Sequence, residues 1–234
     1  MAEVYATLPE HATESYLPLP VSIPMALVDV MLHTRDDRLP REIRKFLRDA
    51  ERRIEDFTEE SRNHPIPAFV PSDFAAAYWA LAAIEEHRMA PGTLFCEWGS
   101  GFGVVTCLAA YLEFEAYGIE IEPELVAEAE SLAHDYEIAA EFIEGNFVPP
   151  GAEVMAVTPG EVSWLATEGG DPYLELGLDV NDFDVIYAYP WPGEDDLLGQ
   201  LFDQYGADDA LLVTYDGLEH LRVRRRVARR RPRH

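Results

Sequence analysis

A glycine-rich segment near the middle of the chain constrains the fold more than any other feature. Residues 95–103 have the sequence FCEWGSGFG, and Glu120 follows 17 residues after the last of these glycines. The pattern predicts a buried strand, a glycine turn, the start of a helix, and a second strand that ends in an acid. This is the layout of a nucleotide-type site at the first turn of an α/β sheet.

The spacing of the glycines distinguishes between two kinds of cofactor. Gly99, Gly101 and Gly103 form the pattern G-x-G-x-G, whereas the dinucleotide fingerprint would need a glycine in place of Val104. The segment therefore points away from NAD and toward S-adenosylmethionine (SAM). Without Cβ atoms, the backbone of these glycines can approach the methionine and ribose parts of SAM closely.

Further candidate contacts follow successive predicted strands. We expect Glu97 to face the methionine end and Glu120 to accept hydrogen bonds from both ribose hydroxyls, because a carboxylate offers only acceptors. Ile121 is a further predicted cofactor contact. The amide of Asn146 could bond the adenine edge, and Phe147 could cover the ring. The carboxyl ends of parallel strands bring such residues to one edge of the sheet.

The remaining elements predict an α/β protein with a doubly wound, mostly parallel sheet and an N-terminal helical extension. Five strands are predicted, at 93–97, 116–121, 140–143, 184–189 and 210–215, with helices between several of them. Apolar residues also recur at helical spacing from 41 to 61 and from 74 to 87, the second helix having Ser72 as its N-cap. Alternating apolar residues after 220 predict a last strand.

The predicted domain organisation has three parts. Residues 1–65 form an extended, proline-punctuated arm and an amphipathic helix, and residues 66–227 form the SAM-binding domain. Within that domain 148–182 is an irregular, acidic insertion that exceeds the usual connection length. Residues 228–234 are an arginine-rich tail. The chain from 222 to 234 carries eight arginines, and their folding back onto the acidic body is the simplest hypothesis; an acidic partner and RNA are the alternatives.

Charge is distributed very unevenly. The net charge is −26, and positions 89–221 contain 28 Asp and Glu but no Lys or Arg. Such a field disfavours a nucleic-acid partner, since phosphate contacts need a basic surface. It favours a cationic substrate, or it is a solubility surface without a role in function.

Other classes of protein receive no support from the sequence. No apolar run approaches the roughly 20 residues of a membrane span, and no signal peptide is expected. Cys96 and Cys107 are predicted to be small buried residues rather than a disulfide or a metal pair, and no metal site is predicted. A cytoplasmic location is the default expectation, and the oligomeric state is not predicted.

Taken together, these motifs resemble those of the class I SAM-dependent methyltransferases over roughly residues 69–227. Three segments carry the resemblance: Pro71-Ser72, Glu97 to Gly103, and Gly118 to Pro123. Within the superfamily the chain looks most like the small seven-strand branch that methylates protein lysines. The resemblance implies a Rossmann-like methyltransferase fold, SAM as cofactor, and methyl transfer to an amine acceptor.

The resemblance also implies where the acceptor would bind. Amino-directed methyltransferases often carry an Asn/Asp-Pro-Pro-aromatic tetrad after the fourth strand, and here Tyr189, Pro190 and Trp191 stand in an altered version of it. These three are the candidate catalytic residues. Candidate bases are Glu194, Asp195 and Asp196, or none beyond solvent. Two alternatives stay open: a small-metabolite methyltransferase, and a SAM-binding interaction protein without catalysis.

Overall fold

A computed structural model describes residues 25–35, 37–60, 73–152, 169–190, 194–216 and 220–228. Several predictions fall outside these residues. They concern most of the N-terminal arm, the Pro71-Ser72 dipeptide, most of the predicted insertion, Trp191, and the tail residues 229–234.

The described strands form one sheet. They are β1 (Met25–Asp29), β2 (Leu94–Trp98), β3 (Glu115–Glu120), β4 (Ala140–Glu144), β5 (Val185–Ala188), β6 (Leu211–Asp216) and β7 (His220–Ala228). The order across the sheet is β1-β7-β6-β5-β2-β3-β4. Strands β2 to β6 are parallel, and β7 is antiparallel to both of its neighbours. The predicted mostly parallel α/β fold is confirmed.

Six α-helices are described: α1 (Arg41–Glu60), α2 (Phe74–Glu86), α3 (Val104–Tyr111), α4 (Pro123–Asp135), α5 (Pro172–Leu176) and α6 (Asp195–Tyr205). The prediction of Ser72 as the N-cap of α2 is wrong, because the carboxylate of Asp73 accepts the Ala76 N–H at 3.0 Å. No helix in the described ranges is long and apolar enough to cross a membrane.

Helix α5 was not predicted, because the whole segment 147–183 was interpreted as irregular. The signals were present in the sequence. Asp171 caps the helix by accepting the N–H groups of Tyr173 and Leu174, and Pro172 stands at its first position. Gly177 ends it in a left-handed conformation, as glycine commonly does at a helix C-terminus.

Helices cover both faces of the sheet. Along β5, Val185 and Tyr187 pack on the side of α2 and α3, while Ile186 and Ala188 pack with α5 and α6. Strands buried on both faces become continuous apolar runs, which is why the sequence shows them so clearly. The predicted doubly wound arrangement is confirmed.

The helix α1 lies outside α3 and α4, where its apolar face completes a second layer. At its C-terminal end Phe57 packs edge-to-face on Phe102 of the glycine-rich segment, with ring centroids 5.2 Å apart. The N-terminal extension therefore reaches the predicted cofactor region.

Strand β1 belongs to the sheet, although its residues were predicted to be part of an extended arm. It pairs with β7 antiparallel, from Met25 opposite Ala228 to Asp29 opposite Arg224. Beyond the strand, Val30 N–H donates to Val223 O at 2.8 Å. A strand near the start of the described chain thus forms the sheet edge beside the last strand. The division into domains stays a prediction.

The arginines of β7 dock onto acidic groups of the body. Arg222 pairs with Asp29 at 2.7 Å, Arg224 with Asp195 at 2.7 Å, and Arg226 with Asp208 at 2.6 Å. The three alternate along the strand and therefore share one face. Folding back of the arginine-rich segment is confirmed for these residues, whereas 229–234 lie outside the described part of the chain.

Candidate functional site

The predicted site residues meet at the carboxyl edge of the sheet. Trp98 pairs with Ile119 on one side and with Ala188 on the other. The next residues along these three strands are Gly99, Glu120 and Tyr189. They therefore lie side by side at the carboxyl edge of the sheet. Strand β2 lies where the winding reverses, and ligands of doubly wound sheets bind in the crevice at that point. The chain is therefore an α/β protein whose candidate site residues lie at its topological switch point.

Backbone conformation explains the three glycines of the turn. Gly99, Gly101 and Gly103 have φ values of +74°, +52° and +65°, a region that residues with a Cβ rarely adopt. A Cβ at Gly103 would also lie 2.3 Å from the Phe142 ring. The N–H of Gly99 donates to Ile119 O at 2.9 Å, so the turn is fixed to β3.

Glu120 links the glycine turn to the end of β3. Its side chain is only 8% exposed. One carboxylate oxygen accepts the Gly101 N–H at 2.8 Å, and the other accepts those of Ile121 and Glu122 at 2.8 and 3.1 Å. Burial raises the pKa of Glu120, and the three N–H groups oppose this by favouring the ionised form. The predicted ribose acceptor is thus held rigidly beside the turn.

Glu97 lies below the turn and contacts the first turn of α3. Its carboxylate accepts the backbone N–H of Thr106 at 2.8 Å and the Thr106 hydroxyl at 2.5 Å. The side chain is 5% exposed, and this burial raises the pKa of Glu97 to about 8. Thr106 was not among the predicted site residues, and nothing in the sequence ties it to Glu97.

The raised pKa of Glu97 predicts a pH-dependent stability. The folded chain holds a proton that the unfolded chain releases above its ordinary pKa of 4.5, so this contribution is lost as pH rises from 4.5 to about 8. Glu97→Gln removes the titration. In urea unfolding between pH 6 and 8, we expect the wild type to lose up to about 1.4 kcal/mol per pH unit more than the variant. Parallel pH slopes for the two proteins would contradict the prediction.

Asn146 and Phe147 lie at the carboxyl end of β4, but both side chains make contacts within the protein. The amide oxygen of Asn146 accepts the Val148 N–H at 2.9 Å, which closes a tight turn. The Phe147 ring is stacked on Trp98 with centroids 5.3 Å apart and planes at 10°. Their predicted contacts with adenine stay predictions.

Tyr189 and Pro190 are half-buried at the end of β5. The Tyr189 ring lies 5.2 Å from that of Tyr215 at the end of β6. The two aromatic rings therefore lie side by side at the carboxyl ends of β5 and β6, and Tyr215 is buried. Trp191, the third candidate catalytic residue, lies outside the described residues.

Asp195 was one candidate base, and its surroundings argue against that role. Its two oxygens accept from the Thr214 hydroxyl at 2.9 Å, from Arg224 at 2.7 Å and from Arg222 at 3.2 Å. Both carboxylate oxygens therefore face donors on β6 and β7, which is the geometry of a structural link between elements. Asp195 instead anchors the first turn of α6. Thr214 of β6 and Arg224 of β7 were not among the predicted site residues, and the sequence shows only that arginines recur along β7.

No protein-family model matches the sequence, and no curated protein matches it either. Solved structures resemble the chain in three dimensions. An RNA methyltransferase from Salinibacter ruber in complex with S-adenosyl-L-homocysteine is 18% identical with a TM-score of 0.47, and the match covers 70% of this chain and 98% of that chain. A methyltransferase from Geobacter sulfurreducens is 16% identical with a TM-score of 0.48, and the match covers 81% and 99%.

An O-methyltransferase from Bacillus cereus in complex with S-adenosylhomocysteine (SAH) is 10% identical with a TM-score of 0.46. The match covers 76% of this chain and 66% of that chain. Because identity is below 20% and the TM-score below 0.5 in all three cases, the fold assignment rests on strand order and register.

Proposed function

We propose that the protein is a SAM-dependent methyltransferase. The observation that carries the proposal is the position of the buried Glu120 carboxylate, level with a turn of three glycines with positive φ at the switch point. The backbone at Gly99 is open on its Cβ side, because no atom of the described residues, apart from its own chain neighbours, lies within 4 Å of the position where a Cβ would be. The backbone of such a turn can contact the methionine and ribose parts of SAM closely. The Glu120 carboxylate offers only hydrogen-bond acceptors, which suits the two donor hydroxyls of the ribose.

When bound, SAM would supply a methyl group already activated on a sulfonium. The chain's own task is then positioning and exclusion of water rather than covalent chemistry. Gly99 and Gly101 would receive the methionine and ribose portion, and Glu120 would fix the ribose. Phe57 of α1 supports this arrangement from outside through its contact with Phe102.

We further propose a cationic amine, such as a protein lysine, as the methyl acceptor. Two features support this finer proposal. Positions 89–221, which supply most of the cleft, contain no Lys or Arg, so the local field attracts cations. The half-buried Tyr189 lies at the end of β5 beside the Tyr215 ring, and aromatic faces stabilise cationic groups. Pro190 and Trp191 follow as further candidate acceptor contacts.

Two measurements on the wild-type protein test the proposal. Calorimetric titration with S-adenosylhomocysteine (SAH) is expected to give micromolar affinity. Incubation with methyl-labelled SAM and a cell lysate is expected to label basic proteins, and base-stable label on lysine would identify the acceptor class. Lack of SAH binding refutes a SAM-dependent enzyme. Label confined to small molecules indicates a metabolite acceptor, and binding without transfer indicates an interaction protein.

A further inference from the structure

A groove of about 520 Å³ lies beside α5, on the face of the sheet that also carries α6. Three parts of the chain line this α5 groove: the residues after β4, α5 with the turn that follows it, and the last residue of α6. Its apolar and aromatic lining residues are Pro149, Tyr173, Leu174, Leu178, Val180 and Tyr205. Leu174 is 80% exposed, so the apolar lining extends to the surface.

Two carboxylates also border the α5 groove. Asp171 and Asp179 both line it and are exposed. Each accepts a backbone N–H group of the helical turn that it caps, but no ion pair among the described residues involves either acid. A cationic segment whose side chains can also pack on apolar and aromatic surface would therefore match this groove.

The arginines of β7 already contact the neighbouring end of α6. The Arg226 guanidinium donates to Asp203 O at 2.8 Å and to the Asp208 carboxylate at 2.6 Å. Asp203 lies in the last turn of α6, and Tyr205, two residues later, ends the helix and lines the groove. Oδ1 of Asp203 is buried and has no hydrogen-bond partner among the described residues. The contact between the arginine-rich strand and α6 therefore continues toward the groove, with an acceptor still unused.

The chain beyond β7 is long enough to reach the α5 groove. Because β7 is antiparallel to β6, its last residue, Ala228, lies at the edge of the sheet where β5 and β6 begin. Val180 precedes β5 and Tyr205 precedes β6 at that same edge. Strand β5 is the second strand from β7, a separation of about 10 Å at the usual spacing. Residues 229–234 have the sequence RRRPRH, and a chain of this length can span roughly 20 Å.

We propose that residues 229–234 bind in the α5 groove, with their arginines facing Asp179 and the ring of Tyr205. A guanidinium group can pair with a carboxylate and stack on an aromatic ring. The four arginines of this segment also meet a body of strongly negative charge, which favours the bound arrangement. The proposal goes beyond methyl transfer and does not depend on SAM binding. A basic segment of another protein could enter the groove only by displacing the chain's own residues.

Disulfide trapping tests the proposal in the whole chain, because both natural cysteines are buried. Asn181→Cys places a thiol on an exposed residue of the groove lining, and Pro232→Cys places one in the tail without removing an arginine. The matched control combines Pro232→Cys with Thr93→Cys. Thr93 is exposed just before β2, at the same edge of the sheet and one strand beyond β5, and it is not part of the groove lining. It is still within reach of the tail at the usual strand spacing.

Each double variant is equilibrated in a glutathione redox buffer, and the fraction of disulfide gives the effective concentration of the two thiols. We expect this effective concentration to be at least about tenfold higher for the Asn181→Cys and Pro232→Cys pair than for the control pair. Changing the four tail arginines to glutamine should remove the difference. Equal effective concentrations for the two pairs would overturn the proposal, as would a difference that persists without the four arginines.

The reactivity of Asn181→Cys alone supplies a second test that needs no disulfide. We expect a neutral thiol reagent to react at least about threefold faster when the four tail arginines are glutamine, because an occupied groove shields the thiol. A slow rate in both forms would indicate that the connection 153–168 covers the groove, and a fast rate in both would indicate a groove open to a separate basic partner. Either result overturns binding of the tail. Neither test involves SAM, so both are independent of the result of the SAH titration.

Discussion

Asp195→Ala is expected to lower the free energy of unfolding by about 3 kcal/mol, since removing one partner of a buried ion pair leaves the other charge uncompensated. Arg224 is 5% exposed, and among the described residues its Nε has no hydrogen-bond partner. Gly199 of α6 packs over its guanidinium group, where a Cβ would lie 2.8 Å from Nη1. Without Asp195, the buried guanidinium keeps its hydrogen bond to the Thr214 hydroxyl at 3.2 Å but loses the carboxylate that balances its charge.

Thermal and urea unfolding measure the effect, which corresponds to a fall of roughly 6–12 °C in melting temperature for a chain of this size. Asp56→Ala is the matched control: it removes an aspartate paired with Arg52 in α1, but both side chains are more than 60% exposed. We expect that change to cost less than about 1 kcal/mol.

A second change checks the cause of the Asp195 effect. Adding Arg224→Met to Asp195→Ala removes the unpaired charge, and most of the lost stability should return. If Asp195→Ala is as stable as Asp56→Ala, the buried network does not hold α6 in place, and Asp195 becomes a candidate base again.

Glu120→Gln is expected to weaken SAH binding by about 100-fold or more, because hydrogen bonds to a charged acceptor contribute about 1.5–3 kcal/mol each and two ribose hydroxyls are involved. Glutamine also places an NH₂ group against backbone donors, because both carboxylate oxygens of Glu120 accept backbone N–H groups. Two donors then face each other, and the glycine turn loses its support. Calorimetry with SAH measures the loss.

Glu122→Gln is the control for charge. Glu122 lies two residues away at the N-terminus of α4, and its side chain makes no capping hydrogen bond there. The same change in net charge should therefore alter SAH affinity by less than about threefold. If Glu120→Gln and the wild type bind SAH with equal affinity, the ribose does not bind at Glu120, and the nucleoside part of the site lies elsewhere than at the end of β3.

Local patterns explain why most elements could be predicted. Strands β2, β5 and β6 are mostly apolar because both of their faces are buried, and α1 shows its buried stripe at helical spacing. The glycine turn was found because backbone geometry with positive φ restricts the residue type directly. Strand β1 was missed, since a five-residue edge strand buries little and its partner, β7, is almost 200 residues away.

Within the site, too, features that depend on local sequence were predictable and contacts between distant elements were not. Glu120 is a predicted site residue because it ends a strand, and its carboxylate lies beside the glycine turn. The partners of Glu97 and Asp195 were not predictable, because each lies on another element brought close only by folding. For α5 the sequence does carry a usable signal, in Asp171 and Pro172.

The doubly wound α/β architecture, the three-glycine turn and Glu120 at the end of β3 could be inferred from the sequence, since each depends on backbone conformation and burial over a few neighbouring residues. Two other features appear only in the folded chain: Asp195 is held between Arg222 and Arg224, and β1 pairs with β7. They depend on distances between residues far apart in the chain, and such distances are fixed by packing rather than by local pattern.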